Sequence, residues 1–184
     1  MEFIAGVSSS ISTNVKSEVF SYRYKVFVER LGWDLDTPIN REVDQFDHDK
    51  TTYIIAKDEE HDVVGCARLL PTTMPYLLEE IFPELLNGIN PPKSPDIWEL
   101  SRFTSLDLKE KEMPKNAQFS LDTTVDLLKH TIECARKLGA KKIISVSPIG
   151  VERLLRKAGF KAHRAGPPKI IEGYPLFACW IDID

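Results

Sequence analysis

Hydrophobic residues along this chain follow two rhythms, and the switches between them predict an order of elements. Val19, Tyr22 and Val26, followed by Arg30, recur at three- and four-residue spacing and predict a helix over 15–31, with Gly32 placed to stop it. Leu121, Val125, Leu128, Ile132 and Ala135 repeat the helical spacing over 119–138, and Gly139 is the expected C-cap. A shorter helix is expected over 151–158, closed by Gly159. Strand-like runs fall at 2–7, 51–57, 63–70, 97–105, 142–147, 160–164 and 174–183. The second and third flank the polar stretch Asp58-Glu59-Glu60-His61-Asp62, a hairpin connection. The last two are expected to be joined by the Ala165-Gly166-Pro167-Pro168 turn. Residues 76–86 have helical tendency interrupted by Pro83, residues 87–95 form a Pro-rich crossing, and 107–117 are charged and irregular. Residues 33–50 are polar, acidic and without period, and a loop of that length in a compact domain tends to be functional.

One strand breaks the usual rule of a polar face and an apolar face. In Ile97-Trp98-Glu99-Leu100-Ser101-Arg102-Phe103, strict alternation puts Trp98, Leu100 and Arg102 on one side and Glu99, Ser101 and Phe103 on the other. Each side then carries a charge that is costly to bury without a partner. Such a strand lies either at an edge or beside an active site, and the second fits a run this rich in β-formers.

The 184 residues, 42% hydrophobic and 28% charged, suffice for one packed domain over 1–184. No run approaches the ~20 apolar residues of a membrane span. The opening residues Met1–Val7 lack a basic start and a long apolar core, so no signal peptide is expected. Cys66, Cys134 and Cys179 are odd in number and far apart, which argues for a reduced, cytoplasmic setting without disulfides. His48, His61, His130 and His163 have no ligand-like spacing, and no metal site is expected. The net charge is −4, yet residues 131–170 hold ten Lys/Arg against two acids, a local balance of +8. That asymmetry points to an anionic partner, an acidic protein or a phosphate-bearing ligand in preference to nucleic acid.

Helices alternating with strands that are mostly not sequence neighbours predict a single three-layer α-β-α domain around a mixed central sheet. The motifs sharpen this. Arg23-Tyr-Lys-Val-Phe27-Val-Glu-Arg-Leu-Gly-Trp33, Asp44-Gln-Phe-Asp47, Cys66-Ala-Arg68-Leu-Leu-Pro71, Trp98-Glu99-Leu-Ser101-Arg102-Phe103 and His163-Arg-Ala-Gly-Pro-Pro168 occur in this order. The set resembles the acyl-homoserine lactone synthases, the LuxI-type autoinducer synthases, over nearly the whole chain. The resemblance implies an acetyltransferase-like (Gcn5-related) α/β fold and an acyltransferase of quorum sensing. Its substrates would be S-adenosylmethionine and an acyl thioester on acyl carrier protein or coenzyme A. No cofactor is implied, because S-adenosylmethionine is itself consumed.

The resemblance also implies roles. Glu99 would be the general base that frees the amine of S-adenosylmethionine, where the alternative is a structural ion pair. Ser101 and Arg102 would act beside it. Arg102 suits the substrate carboxylate bidentately. Asp44, Asp47 and Arg68 would complete an electrostatic cluster, the acids either meeting the cationic part of the substrate or orienting an Arg. Arg23, Phe27 and Trp33 would close over S-adenosylmethionine, the aromatics by cation–π attraction. Main-chain N–H groups near Phe103 would polarise the thioester carbonyl. Leu121, Val125, Ile144, Ser145, Val146 and Leu155 are acyl-chain wall positions, or ordinary core. Lys141, Lys142, Arg153, Arg156 and Lys157 form a carrier-protein dock, or a solvated face. A Gcn5-related N-acyltransferase acting on another amine is the alternative enzyme, though this chain lacks the Gly-rich pyrophosphate loop of that group. A ligand-binding regulator would leave Glu99 and Arg102 unexplained.

Overall fold

The structure, a computed structural model, describes residues 1–110 and 121–183, with the side chains of residues 121 and 122 excepted. The elements in chain order are β1 (Glu2–Val7), α1 (Thr13–Arg23), a π-helix (Tyr24–Arg30), β2 (Thr52–Lys57), β3 (Val63–Pro71), α2 (Leu77–Glu80) and a 3-10 helix (Pro83–Leu86). There follow β4 (Ile97–Thr104), α3 (Leu121–Lys137), β5 (Lys142–Pro148), α4 (Val151–Lys157), β6 (Lys161–Arg164), β7 (Lys169–Ile171) and β8 (Tyr174–Asp182). The strands hydrogen-bond in the order β1-β2-β3-β4-β5-β8-β6, with β7 also on β8. β4 and β5 run parallel, while β1–β2, β5–β8, β6–β8 and β7–β8 are antiparallel, so the sheet is mixed. Among the described residues no helix is long and apolar enough to cross a membrane.

The chain divides into two compact units, Met1–Arg68 with Arg102–Thr131, and Leu69–Ser101 with Ile132–Asp184. In the first, α1 starts where the Ser12 hydroxyl accepts the Val15 N–H at 3.3 Å. Val19, Phe20, Tyr22, Val26 and Phe27 are buried there with Ile55, Cys66 and Leu106. Tyr22 ties this core to the end of β4: its hydroxyl donates to the Leu106 carbonyl and accepts the Leu106 N–H, both at 2.9 Å. The polar connection between β2 and β3 is held by Asp58, whose Oδ1 accepts the N–H groups of Glu60 and Asp62.

In the second unit, β4 pairs with β5 from Ile97↔Lys142 to Leu100↔Ser145, while β5 continues to Pro148 on β8. Ile143, Ile144, Leu155, Phe177, Ala178 and Cys179 are fully or nearly fully buried. Each such aliphatic or aromatic side chain contributes about 1.5–3 kcal/mol relative to exposure.

Two elements depart from the periodicity. The helix expected over 15–31 is α-helical only to Arg23, because a spacing of three and four over two turns does not separate 3.6 residues per turn from the wider π turn. The Ala165–Pro168 turn leads into β7, not directly into β8; three residues between a Pro pair and a Glu-Gly turn are too short a run to signal a strand. The β7–β8 turn is made by Glu172 and Gly173, both at positive φ (51° and 83°), which matches a two-residue hairpin. The expected helix start at Phe119, and the charged stretch beyond residue 110, lie outside the described residues.

Gly166 fixes the approach of this turn to the 3-10 helix. A Cβ there would stand 2.7 Å from the Leu85 carbonyl oxygen and 3.1 Å from the Asn87 Cβ. Gly166→Ala is therefore expected to lower unfolding free energy by about 1–3 kcal/mol. A denaturant midpoint equal to that of the unaltered chain would contradict this contact.

Candidate active site

The first unit holds a knot of three guanidinium and three carboxylate groups. Arg23, the last residue of α1, forks onto Asp47 (Nη1–Oδ1 2.8 Å, Nη2–Oδ2 2.9 Å) and donates from Nε to Glu42 at 2.5 Å. Arg68 on β3 donates to Asp44 at 2.6 Å and lies 3.2 Å from Asp47. Arg102 on β4 donates to both Glu42 oxygens at 3.0–3.1 Å and to Asp44 at 3.0 Å. The formal charges sum to zero, which is how six ionised groups persist in so dry a place. Side chains of Arg23, Arg68, Glu42 and Asp47 are at most 3% exposed; Asp44 at 15% and Arg102 at 9% form the open edge.

The loop at 33–50 is ordered by these bonds. The Glu42 N–H donates to the Phe20 carbonyl at 3.0 Å, docking the loop on α1. Asp47 Oδ2 accepts the Asp44 N–H, Asp44 Oδ1 accepts the Phe46 N–H, and the Tyr53 hydroxyl donates to Asp47 Oδ1 at 2.7 Å. Burial alone would raise the Glu42 carboxyl; Arg102 and then Arg23 outweigh it and hold it below the ordinary value. Asp47 is likewise held down by Arg23 and Arg68 against burial. Burial disfavours the charged form of Arg23, yet Asp47 and then Glu42 outweigh it and hold its affinity for the proton above the ordinary one.

Next to the knot, the backbone takes two uncommon forms. The π-helix delivers Phe27, and beyond it the Trp33 N–H reaches the Phe27 carbonyl at 2.9 Å, with Gly32 at φ +70°. Phe27 and Trp33 stack at 4.7 Å with an interplanar angle of 19°, and the Arg102 guanidinium sits 5.7 Å above the Phe27 ring. The second is Arg102 itself, at φ +50° in the middle of a strand. Strict alternation through Phe103 therefore fails at Arg102, whose side chain goes to Glu42, Asp44 and the Phe27 ring. The Cys66 thiol donates to the Arg102 carbonyl at 3.4 Å, and burial pushes that thiol up to about 12.

In the second unit, Glu99 is fully buried. Its Oε2 and Oε1 accept the N–H groups of Leu77 (3.0 Å) and Leu78 (2.7 Å) at the start of α2, so β4 and α2 are locked together. Ser101 is buried and Phe103, in the first unit, is half-buried. Ile144 and Leu155 are buried, Val146 is half-buried, and the Ser145 hydroxyl is 2.9 Å from that of Ser147. Val125, in the first unit, is half-buried, and the Leu121 side chain lies outside those described. Of the five expected docking cations, Lys141 pairs with Asp96 at 2.9 Å and Lys142 lies 3.7 Å from Asp182. Arg156 is held by Glu152 and donates to the Ala162 carbonyl at 3.4 Å, fastening α4 to β6. Arg153 and Lys157 are exposed, with no carboxylate in ion-pair reach among the described residues. The Asp58, Glu60 and Asp62 carboxylates converge, but the Lys109 ammonium stands among them at 2.6–3.0 Å as their cation.

Sequence reasoning joined Asp44, Asp47, Arg68 and Arg102, set Arg23 apart with Phe27 and Trp33, and missed Glu42 and Tyr53; the structure brings Arg23 into the knot. The signal for Glu42 was charge balance: three buried arginines and only two assigned acids leave a positive charge without a partner. For Tyr53 no sequence signal was present, since a β-strand tyrosine is equally a core residue.

Comparison with known proteins adds an independent line. The family model for autoinducer synthases matches residues 8–184. The acyl-homoserine-lactone synthase of Acinetobacter nosocomialis is 54% identical over 183 residues, covering 100% of both chains. The crystal structure of TofI in a ternary complex with an inhibitor and MTA has a TM-score of 0.87 at 40% identity, over 100% of this chain and 92% of that one. BjaI, a CoA-dependent acyl-homoserine lactone synthase with SAM and isopentyl-CoA, has a TM-score of 0.84 at 28% identity, over 99% of this chain and 82% of that one. A putative N-acetyltransferase from Lactobacillus plantarum shares the fold alone, at a TM-score of 0.64 and 13% identity. The fold is thus the acetyltransferase-like α/β fold.

The depressed carboxylates tie stability to pH in a definite direction. Because Glu42 and Asp47 sit below their ordinary values when folded, their contribution is complete above about pH 5 and lost as pH falls through the folded values. Glu42→Gln is expected to cost about 3–5 kcal/mol at pH 7, by stranding Arg102 and Arg23, and to flatten the acid limb of the stability curve. A chemical-denaturation series from pH 7 to pH 3 checks both; an unchanged acid limb in the variant would contradict the buried knot.

Proposed function

The chain belongs to the autoinducer synthases, and we propose that, as an acyl-homoserine-lactone synthase, it acylates the amine of S-adenosylmethionine from a thioester and closes the product into a lactone. The observation that carries this reading is Arg102, shared by Glu42, Asp44 and the Phe27 ring at the open edge of the neutral knot. S-adenosylmethionine bears a carboxylate, an amine and a sulfonium within a few bonds. A site of fixed charges of both signs beside a stacked aromatic pair matches those groups one for one. Arg102 receives the carboxylate, Asp44 faces the cationic side, and Phe27 and Trp33 lie against the sulfonium and adenosine. Arg23, Arg68 and Asp47 hold this frame.

Glu99 is assigned the general base for the amine, directly or through water, and its bonds from Leu77 and Leu78 keep it in one orientation. The freed amine attacks the thioester carbonyl, a N–C bond forms, and the thiol leaves. Ser101 and the main chain near Phe103 are assigned to the carbonyl oxygen. The methionine carboxylate, aligned by Arg102, then attacks its own γ-carbon and expels methylthioadenosine. Leu121, Val125, Ile144, Ser145, Val146 and Leu155 are assigned to the acyl chain. Both units together are read as one synthase domain acting in the cytoplasm. The donor is read as an acylated carrier protein, received by the basic residues of the second unit, because ten cations against two acids over 131–170 suit an acidic protein.

Incubation with S-adenosylmethionine and an acyl thioester, followed by mass spectrometry, is expected to give lactone and methylthioadenosine in equal amounts. Glu99→Gln is expected to lower turnover about 10²–10⁴-fold, with S-adenosylmethionine affinity and thermal midpoint measured alongside. Acylated amine without lactone would contradict the reaction, and near-normal turnover of the variant would remove Glu99 as the base.

A further inference from the structure

Glu99 is braced by a ring of contacts that closes within the second unit. Its carboxylate oxygens accept the N–H groups of Leu77 and Leu78, and these belong to α2, a helix of only four residues. A helix that short has no stability of its own. The direction of its donors is therefore set by what holds it from outside.

Tyr76, the residue before α2, supplies that hold through both its main chain and its side chain. The Leu77 N–H and the Tyr76 carbonyl are parts of one planar peptide group, and that carbonyl accepts the Glu80 N–H at 3.1 Å. Tyr76 itself is extended, at φ −140° and ψ 164°, so the chain turns into α2 at this residue. It is fully buried, and its hydroxyl donates to the Pro92 carbonyl at 2.8 Å. Burial, with the charges of Glu79 and then Glu99 beside it, pushes the phenol up, so it stays a donor. Lys93, next to Pro92, bonds Glu79 of α2 at 2.7 Å and stands 5.7 Å from the Tyr76 ring, a more exposed second tie.

The anchor at Pro92 is stiff. Pro91, Pro92 and Pro95 fix φ at three of five consecutive positions. Thr72, also fully buried, straps this segment to β4. Its hydroxyl accepts the Ser94 N–H at 3.1 Å and shares its proton between the Ser94 and Ile97 carbonyls at 2.9 and 2.8 Å. Ile97 is two residues before Glu99 on β4, so the path from Glu99 through α2, Tyr76, Pro92 and Thr72 returns to its start.

We propose that Tyr76 is a positioning residue for Glu99, its hydroxyl bond to Pro92 fixing the two main-chain N–H donors that orient the carboxylate. The proposal rests on the reading of Glu99 as the base and adds the part of the fold that keeps it aimed. A carboxylate that accepts two N–H bonds stays ionised and in one orientation, and a general base needs both. A phenylalanine would fill the same space, so packing alone does not require the hydroxyl.

The test is Tyr76→Phe, made in the unaltered chain and on Glu99→Gln, with S-adenosylmethionine and octanoyl carrier protein as substrates. In the unaltered chain the substitution is expected to lower kcat about three- to tenfold. The acid limb of the kcat profile is expected to move to higher pH, because weaker donors favour the protonated carboxyl. KM for both substrates is expected to stay within about twofold. On Glu99→Gln the same substitution is expected to change kcat by less than about twofold, since residues acting as a unit do not add. Equal losses on both backgrounds, or an unmoved acid limb, would overturn the proposal and leave Tyr76 a packing residue. The Leu77 and Leu78 amide proton shifts, read by NMR at pH 7 without substrate, are expected to move upfield in Tyr76→Phe, as in Glu99→Gln. Amides left in place would overturn the proposal as well. Near-normal turnover of Glu99→Gln would sink the base reading separately, and the two amides would still report whether Tyr76 holds the donors.

Discussion

Charge neutrality in a dry space is the constraint around which the first unit is organised. Arg23, Arg68 and Arg102 cannot be held at 9% exposure or less unless an equal number of carboxylates comes with them. Glu42, Asp44 and Asp47 all come from the loop between the π-helix and β2, so the loop is tied to the arginines at three points. The ligand inherits the consequence. A knot that is neutral inside and open at Asp44 and Arg102 does not favour a simple anion or a simple cation; it favours a molecule that carries both. On the function proposed above, an amino-acid nucleotide with a carboxylate, an ammonium and a sulfonium is such a molecule, its anionic group suited to Arg102 and its cationic side to Asp44.

One left-handed non-glycine residue belongs to the knot itself. A left-handed non-glycine residue costs on the order of 1–2 kcal/mol, and Arg102 takes that conformation within β4. The gain is direction: the side chain leaves the alternation of the strand and meets Glu42, Asp44 and Phe27. The π-helix has a comparable effect at the other side of the site, because its wider turn lets Phe27 stack on Trp33 while Arg23, four residues earlier, keeps both oxygens of Asp47. Tyr53 completes the frame from β2, its hydroxyl on Asp47 and its ring edge-on to Phe20.

Most elements were legible, α3 from its helical spacing and β2, β3, β5 and β8 as short runs of β-formers between polar turns, with β2 and β3 buried on both faces. It failed where geometry is set by contacts distant in sequence. Nothing in residues 97–103 marks Arg102 as left-handed, and alternation placed its side chain accordingly on the wrong reckoning. The partners of Glu99 are main-chain N–H groups about twenty residues earlier, and no residue type announces them. Asp44, Asp47, Arg68 and Arg102 were grouped by motif resemblance, and only their coordinates show which oxygen meets which nitrogen and that Arg23 joins them. Glu42 was within reach of an argument from charge. β7 was not, since three residues between turns carry no period.

The central claim is that the ionic knot grips the amino-acid part of S-adenosylmethionine while the aromatic pair holds its nucleoside. The most direct measurement is calorimetric titration of S-adenosylmethionine and of methylthioadenosine, which lacks the amino-acid part, into the unaltered chain and Asp44→Asn. The account predicts that the substitution weakens S-adenosylmethionine by about tenfold or more and leaves methylthioadenosine within a factor of about two. Equal weakening of both ligands, or of neither, would contradict it.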